Sequence, residues 1–266
     1  MKRINKYVLL LILLSSQIFA TGNNIYTRYG LGDLNYSFSA RRMALGELGI
    51  GIKDFDYLNG LNPAGWTQLR LTRFETGFVM DGSKISSDAG SSFHSKTIFN
   101  GLMLGFPIDR EYGISFVTGL TPYSKVSYEL SFDNNDELVG NHNLIYSGDG
   151  GLYKGIVGLS YNLPFDLALG ISLDYYNGHI NYQSSITFDQ ASTYRDAAFT
   201  RQYTHNGLGF TVGLISSNLA SIFSSDILKD LRLGIVYSSG SNITTDTLDI
   251  STTILGDIST SSGEVT

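Results

Sequence analysis

The sequence predicts an all-β chain, a transmembrane antiparallel β-barrel of the bacterial outer membrane with a plug segment at its amino terminus. Three observations carry this expectation. First, the stretch Gly150 to Tyr182 alternates with a two-residue period. Tyr153, Val157, Leu159, Tyr161 and Leu163 fall on one side, and Lys154, Ile156, Gly158, Ser160 and Asn162 on the other. After a turn at Pro164, Leu167, Leu169, Ile171, Leu173 and Tyr175 continue one parity, with Ala168, Gly170, Ser172, Asp174 and Tyr176 on the other. This is a strand hairpin with one greasy face and one small or polar face. Second, 30 Gly and 17 Tyr with only 16% charged residues suit strands that face lipid on one side and a filled or wet interior on the other. Third, the chain opens on a secretory leader, and after it no stretch approaches the length of an apolar membrane helix, so any later span is β.

The leader is residues 1–20. Lys2, Arg3 and Lys6 form its positive end, Val8 to Leu14 its apolar core, and Ala20 the small residue at the cut. The alternative, a membrane-anchor helix, is disfavoured because the apolar run is short. The chain contains no cysteine, which excludes a lipid anchor on a cysteine, a disulfide framework, a Cys-based zinc site and a thiol nucleophile.

Residues 21–70 do not read as a strand series. Ala40 to Ile52 is Gly-rich with small apolar residues, and Tyr57 to Trp66 contains the turn Asn62-Pro63-Ala64-Gly65. Asn62 is suited to hold that turn by bonding its side chain to the backbone, and Pro63 to fix its φ. Gly46, Gly49 and Gly51 do not form a dinucleotide-binding fingerprint. The segment reads as a compact plug packed inside or below a barrel, a loop-rich extension being the plainer alternative.

Residues 71–266 supply the strands. They run about 71–84, 96–106, 112–128, the two arms of the central hairpin, 200–215 and 231–239, with one more extended segment in 244–266. Asn100 interrupts the apolar parity of the second strand, Pro107 to Arg110 reads as a tight turn, and Pro122 bends the top of the third strand. The connections near 130–147 and 188–199 read as long polar loops, and 218–230 as a longer return that holds a short helix. Short turns at one end and long loops at the other place the plug and the start of the first strand on the periplasmic side. Phe99, Met103, Val117 and Ile156 fall on the inward parity. They either line an apolar pocket for a substrate or pack against the plug.

No catalytic or metal-binding pattern stands out, and no cofactor is expected. His94, His142, His179 and His205 lack metal-ligand spacing, and Ser-rich stretches lack a nucleophile elbow. Asp174, Tyr176 and His179 read as polar interior residues rather than a catalytic cluster. The acidic run Asp133 to Glu137 lacks the spacing of a calcium loop. A net charge of −6 argues against nucleic acid as a partner.

Several short motifs, in order, resemble the outer-membrane long-chain fatty acid transporter superfamily (FadL-like, in its Bacteroidetes-type branch). They are Tyr26-Thr27-Arg28-Tyr29-Gly30-Leu31-Gly32-Asp33, the Ala40 to Gly49 stretch, Asn62-Pro63-Ala64, and the hairpin openings Gly150-Gly151-Leu152 and Leu167 to Ile171. The resemblance spans about residues 25–240 and names residues 21–70 a hatch. It implies a barrel of about fourteen strands, of which this chain would hold about half and lack the C-terminal part. It further implies a hatch that shifts at Asn62, Pro63 and Ala64 to let substrate pass. The function expected on this basis is passive, non-enzymatic transport of long-chain fatty acids or hydrocarbons. The partners expected are outer-membrane lipid, lipopolysaccharide and the hydrophobic solute. Two alternatives stand beside it: a barrel component or substrate shuttle of a protein secretion system, and a secreted soluble β-sandwich binding protein.

Overall fold

The computed structural model of the chain describes residues 24–35, 38–87, 90–136, 140–188, 194–220, 231–253 and 256–265. The leader and most of the expected helix in 218–230 lie outside the described residues. The chain is all-β. After a 3-10 turn at Ile25–Arg28 come β1 (Asp33–Leu34), the short helix α1 (Ala40–Ala44) and a second 3-10 turn, Pro63–Gln68. The sheet follows: β2 (Arg73–Ser87), β3 (Gly90–Asp109), β4 (Ile114–Pro122), β5 (Ser124–Asp136), β6 (Gly140–Leu163), β7 (Leu167–Phe188), β8 (Ala197–Ile215), β9 (Gly234–Ser238), β10 (Asn242–Thr253) and β11 (Gly256–Val265).

All strand pairs are antiparallel, and the sheet is open, running β11-β10-β8-β7-β6-β4-β3-β2. Two long staves are each broken in the middle. β4 and β5 share one edge of β6, meeting at Tyr123, and β9 and β10 share one edge of β8. Pro122 sits at the first break, where its missing N–H is tolerated. The meander therefore follows the strand order read from the sequence, but a fourteen-stranded barrel with a hatch is not what the described residues form.

The expected long polar loop at 130–147 is strand throughout its described residues, and the one at 188–199 is shortened by strand at both ends. β5 continues to Asp136 and β6 begins at Gly140, while β7 reaches Phe188 and β8 begins at Ala197. The reason is an inversion of sidedness along β6, β7 and β8. In the lower half, next to the short turns, the outward rows are apolar: Val157, Leu159 and Tyr161 on β6, Ile171, Leu173 and Tyr175 on β7, and Leu208 and Phe210 on β8 are exposed. In the upper half the same outward rows become Asp149 and Ser147, Asn177, His179 and Gln183, and Asn206 and Thr204. The apolar residues there, such as Val126, Ile180 and Tyr182, point to the inner face, where they pack together. The polar sequence of this half is thus the wet side of an ordinary half-buried sheet. The change falls at Gly150 and Gly151, with φ of 121° and 149°. Here β6 changes partner from β5 to β4, and these φ values favour glycine.

Local turns refine the expected boundaries. β3 runs through Pro107 to Asp109, with the ladder shifted between those two residues. The turn itself begins after Asp109, whose Oδ1 accepts from the N–H groups of Glu111 and Tyr112 at 2.9 and 3.1 Å. Near Gly101 (φ 112°) the β2–β3 register shifts between Thr76 and Phe78. This bulge reverses the facing of the residues before it. Asn100 becomes an inward, buried residue whose Oδ1 accepts from Asn35 Nδ2 at 2.6 Å, which explains its place in an apolar run.

Candidate functional site

Residues 38–69 cover the inner face of the lower half, and two asparagines satisfy several backbone groups of this irregular stretch. Asn59 Oδ1 accepts from the N–H groups of Leu61 and Asn62 at 3.0 and 3.1 Å, and its Nδ2 donates to Gly49 O at 2.6 Å. Trp66 Nε1 donates to Asn59 O at 2.7 Å. Asn62 caps the following 3-10 turn, its Oδ1 accepting from Ala64 N at 2.9 Å, while its Nδ2 donates to Ile50 O at 2.6 Å. Pro63 occupies the first position of that turn, where an N–H would have no partner. Both asparagines are buried. Side-chain amides here replace the ladder that a strand would have given the backbone.

The sheet is notched to receive this segment. A Cβ on Gly170 of β7 would lie 2.2 Å from the carbonyl carbon of Pro63 and 2.4 Å from Ala64 N. A Cβ on Gly213 of β8 would lie 1.9 Å from Asn62 Oδ1. Ala64 packs with Ala168 and Ile215. The Lys53 ammonium reaches the β6–β7 turn, donating to Asp166 O at 2.7 Å, so the segment is tied to the short-turn end.

Of the residues expected to line a pocket, Met103, Val117 and Ile156 come together, fully packed with Phe38, Leu58, Trp66 and Leu69. They form the core between sheet and covering segment. Phe99 does not join them. The bulge turns it to the other side, where it meets Phe78 edge-on at 5.7 Å. Asn62, Pro63 and Ala64 do lie together, at the deepest point of the segment. Asn59, not singled out in the sequence, is as central as Asn62; its signal was the repeat of Asn around Gly60-Leu61. Asp174 faces inward and accepts from Thr211 Oγ1 at 2.6 Å and Ser172 Oγ at 3.0 Å. His179 lies on the opposite face, so Asp174, Tyr176 and His179 do not converge.

A charged cluster anchors the segment's own fold. The Arg42 guanidinium lies 4.0 Å over the Tyr57 ring and 3.5 Å from Asp54, which also pairs with Arg41 at 3.3 Å. Arg73 binds Asp56, and Glu75 accepts from Leu58 N at 3.0 Å, locking the segment to the first long strand. Burial pushes the Tyr57 hydroxyl above its ordinary pKa, with Arg42 opposing the rise.

In the upper half the inner face stays partly open. A cavity of about 970 Å³ lies there, bounded by Arg28, Gly30 and Leu31 on one side and by β5, β6, β7, β8 and β10 on the other. Its floor is a line of rings crossing the strands. Tyr128 and Tyr182 lie 6.3 Å apart, Tyr182 and Tyr203 5.9 Å, and Tyr203 and His205 6.2 Å. Tyr128 rests over Gly148, which has no side chain to obstruct it. Arg201 closes the lane with a two-point pair to Asp249, Nε to Oδ1 at 2.7 Å and Nη2 to Oδ2 at 3.0 Å.

A sheet that turns an apolar face outward over half its height, and fills its inner face with notched glycines and a covering segment, is that of an outer-membrane β-protein. The chain belongs to the BamG family, whose model matches residues 1–262. It is accordingly a protein of the outer membrane. No curated protein and no solved structure matches it.

This membership corrects the resemblance to the fatty acid transporters. It also overturns passive transport of hydrophobic molecules, the fatty acid or hydrocarbon substrate and the lipid and lipopolysaccharide partners. The secretion-system and soluble β-sandwich alternatives gain no support. The shared motifs have a physical source. An Asn-Pro-Ala turn, small Gly-rich runs and aromatic strand ends meet the needs of a segment packed on a β-sheet's inner face. They can therefore recur without common function.

Proposed function

We propose that this protein acts in the assembly of outer-membrane proteins, as a component working with the BAM machinery. The observation that carries the reading is the match of the BamG family along residues 1–262.

We propose further that the lower half of the sheet is a membrane-embedded wall. On β7 the outward apolar row runs from Leu167 to Tyr175. At about 3.3 Å per residue and a tilt near 40°, this row is roughly 20 Å tall, close to the apolar band of outer-membrane barrels. Its upper border is aromatic, with exposed Tyr175 one outward step below Asn177 and Asn206, and exposed Tyr153 opposite Asn177. The upper half then projects from the membrane with a polar outside and an aromatic inside. The short turns at Glu111 and Phe165 face the periplasm on this reading. The covering segment holds the inner face closed and rigid, so the projecting half is presented at a fixed angle. Such a body suits a partner-binding and positioning role that requires no catalytic step.

The test is isolation of the tagged full-length protein from its host membranes in mild detergent after brief cross-linking. Recovery of other components of the assembly machinery is the expected result. Depletion is expected to lower the yield of folded, heat-modifiable outer-membrane barrels. A protein that is folded in the outer membrane, yet isolates without assembly components and whose loss leaves barrel folding unchanged, would overturn the reading.

A further inference from the structure

We infer that the aromatic lane of the upper half is a binding site for an extended polypeptide that carries aromatic and acidic residues. On the assembly reading, on which this inference rests, and with the short turns in the periplasm, the source is a segment that a client chain exposes on the outer side before it has folded. Three observations lead there. The rim of the surface already holds peptide backbone, the protein's own residues 24–34, a 3-10 turn that leads into the two-residue strand β1. Asp33 and Leu34 pair with Lys125 and Ser124, Asn24 N donates to Ser127 O at 2.9 Å, and Ser127 N donates to Thr27 Oγ1 at 3.1 Å. These bonds use the free edge of β5, as strand addition does. Leu31 packs on the cluster that contains Tyr182, and Tyr182 Oη donates to Gly30 O at 3.4 Å. Peptide backbone and an apolar side chain of the chain itself thus already rest against the rim of the lane, and the open cavity continues from there.

The second observation is the chemistry of the continuation. Tyr128, Tyr182, Tyr203 and His205 form a string with spacings of 5.9 to 6.3 Å, comparable to the reach between alternate side chains of a strand. Tyrosine supplies large, stiff, amphipathic contact area at low entropic cost, which suits recognition of varied sequences. The outer face of β6, β7 and β8 is polar at this level, so the lane is an apolar surface that these strands offer on their inner side.

The third is charge. Arg201 is satisfied by Asp249, but Arg28, at the rim, lies 5.8 Å over the Tyr146 ring and no carboxylate pairs with it among the described residues. A cation held against an aromatic wall beside an open cavity is matched by an acidic side chain on the incoming segment. A neutral apolar segment uses the rings alone, and a basic one is disfavoured.

The experiment uses the full-length protein in lipid nanodiscs and a fluorescent ten-residue peptide of alternating Phe and Glu, read by anisotropy. Saturable binding is expected. Tyr203→Ala, which removes one of the two inner rings, is expected to weaken it about tenfold. Arg28→Gln is expected to weaken it about fivefold, with no change for the same peptide carrying Gln in place of Glu. Each variant is checked for heat-modifiable migration, and Tyr203→Ala for recovery of the assembly components. Retained recovery with lost peptide binding supports the site, and retained recovery with unchanged peptide affinity overturns it while leaving the assembly role standing. Absence of saturable binding to the wild-type protein also overturns it. So does binding of lipopolysaccharide oligosaccharide, lost in Tyr203→Ala, by a protein that ignores the peptide; the lane would then be a glycan site.

Discussion

Gly170→Ala tests how the covering segment is held. The new methyl would sit 2.2 Å from the carbonyl carbon of Pro63 and 2.4 Å from both Pro63 O and Ala64 N. All three atoms are backbone, in a 3-10 turn pinned by the Asn62 cap, so no side-chain rotation relieves the clash. Either β7 or the turn must move, and β7 is bonded to β6 along one edge and β8 along the other. The turn is the weaker member. Overpacking of this kind costs about 1–3 kcal/mol, which raises the population of the released segment roughly 5- to 150-fold. The assay is limited trypsin digestion in nanodiscs, following cleavage at Lys53 and Arg70 against survival of the sheet. Gly155→Ala on β6 is the matched control, because its Cβ would meet nothing closer than 3.7 Å. Faster cleavage in Gly170→Ala and none in Gly155→Ala is expected. Equal protection of Lys53 and Arg70 in both variants would refute the interlocking of segment and sheet.

Other perturbations address the amide frame, the buried ring and the membrane face. Asn62→Ala removes the cap on Ala64 N and the donor to Ile50 O, a loss of about 1–3 kcal/mol for groups left buried and unpaired; Asn62→Asp keeps the cap but sets a carboxylate against the Ile50 carbonyl. Both are expected to speed digestion of the segment, and an Asn62→Asp protein as resistant as the wild type would contradict the bonding assigned to Nδ2. Tyr57 is neutral when protonated, and its folded pKa lies above the ordinary 10.0. Above pH 10 the unfolded segment therefore loses this proton first, so protection is full below pH 10 and declines as pH rises from there toward the raised value. Tyr57→Phe should flatten that decline when digestion is followed across the window, and an unchanged profile would exclude Tyr57 as its source. On the membrane face, Ile171→Arg places a charge near the middle of the apolar row at about 2–4 kcal/mol and should deplete the protein from the outer-membrane pellet. Gln183→Arg, outward on the same strand but above the row, should fractionate normally; loss of both to the same extent would undo the assignment of the border at Tyr175.

The amino-acid sequence alone determined which residues share a face. A strand has a period of two, and that period does not depend on what lies beside it. The apolar outward rows of β6, β7 and β8, the antiparallel meander and the Asn62-Pro63 turn were legible for this reason. Each depends on a few neighbouring residues.

Tertiary structure decided everything that depends on which side of the sheet is covered. Residues 130–136 and 140–147 read as polar loop because their outward positions are polar, yet they are strand because Tyr128, Leu130 and Tyr146 gather on the inner face with residues from β7. Phe99 read as inward because parity was counted without the bulge near Gly101, and one extra residue reverses every position before it. Met103, Val117 and Ile156 were placed on the correct side, but only the position of Leu58 and Trp66 shows that they are core rather than a pocket. The aromatic lane could not be read in advance, because Arg28, Tyr128, Tyr182, Tyr203 and Asp249 are distant in sequence. Only the register of five neighbouring strands, with the amino-terminal segment laid along β5, brings them to one cavity.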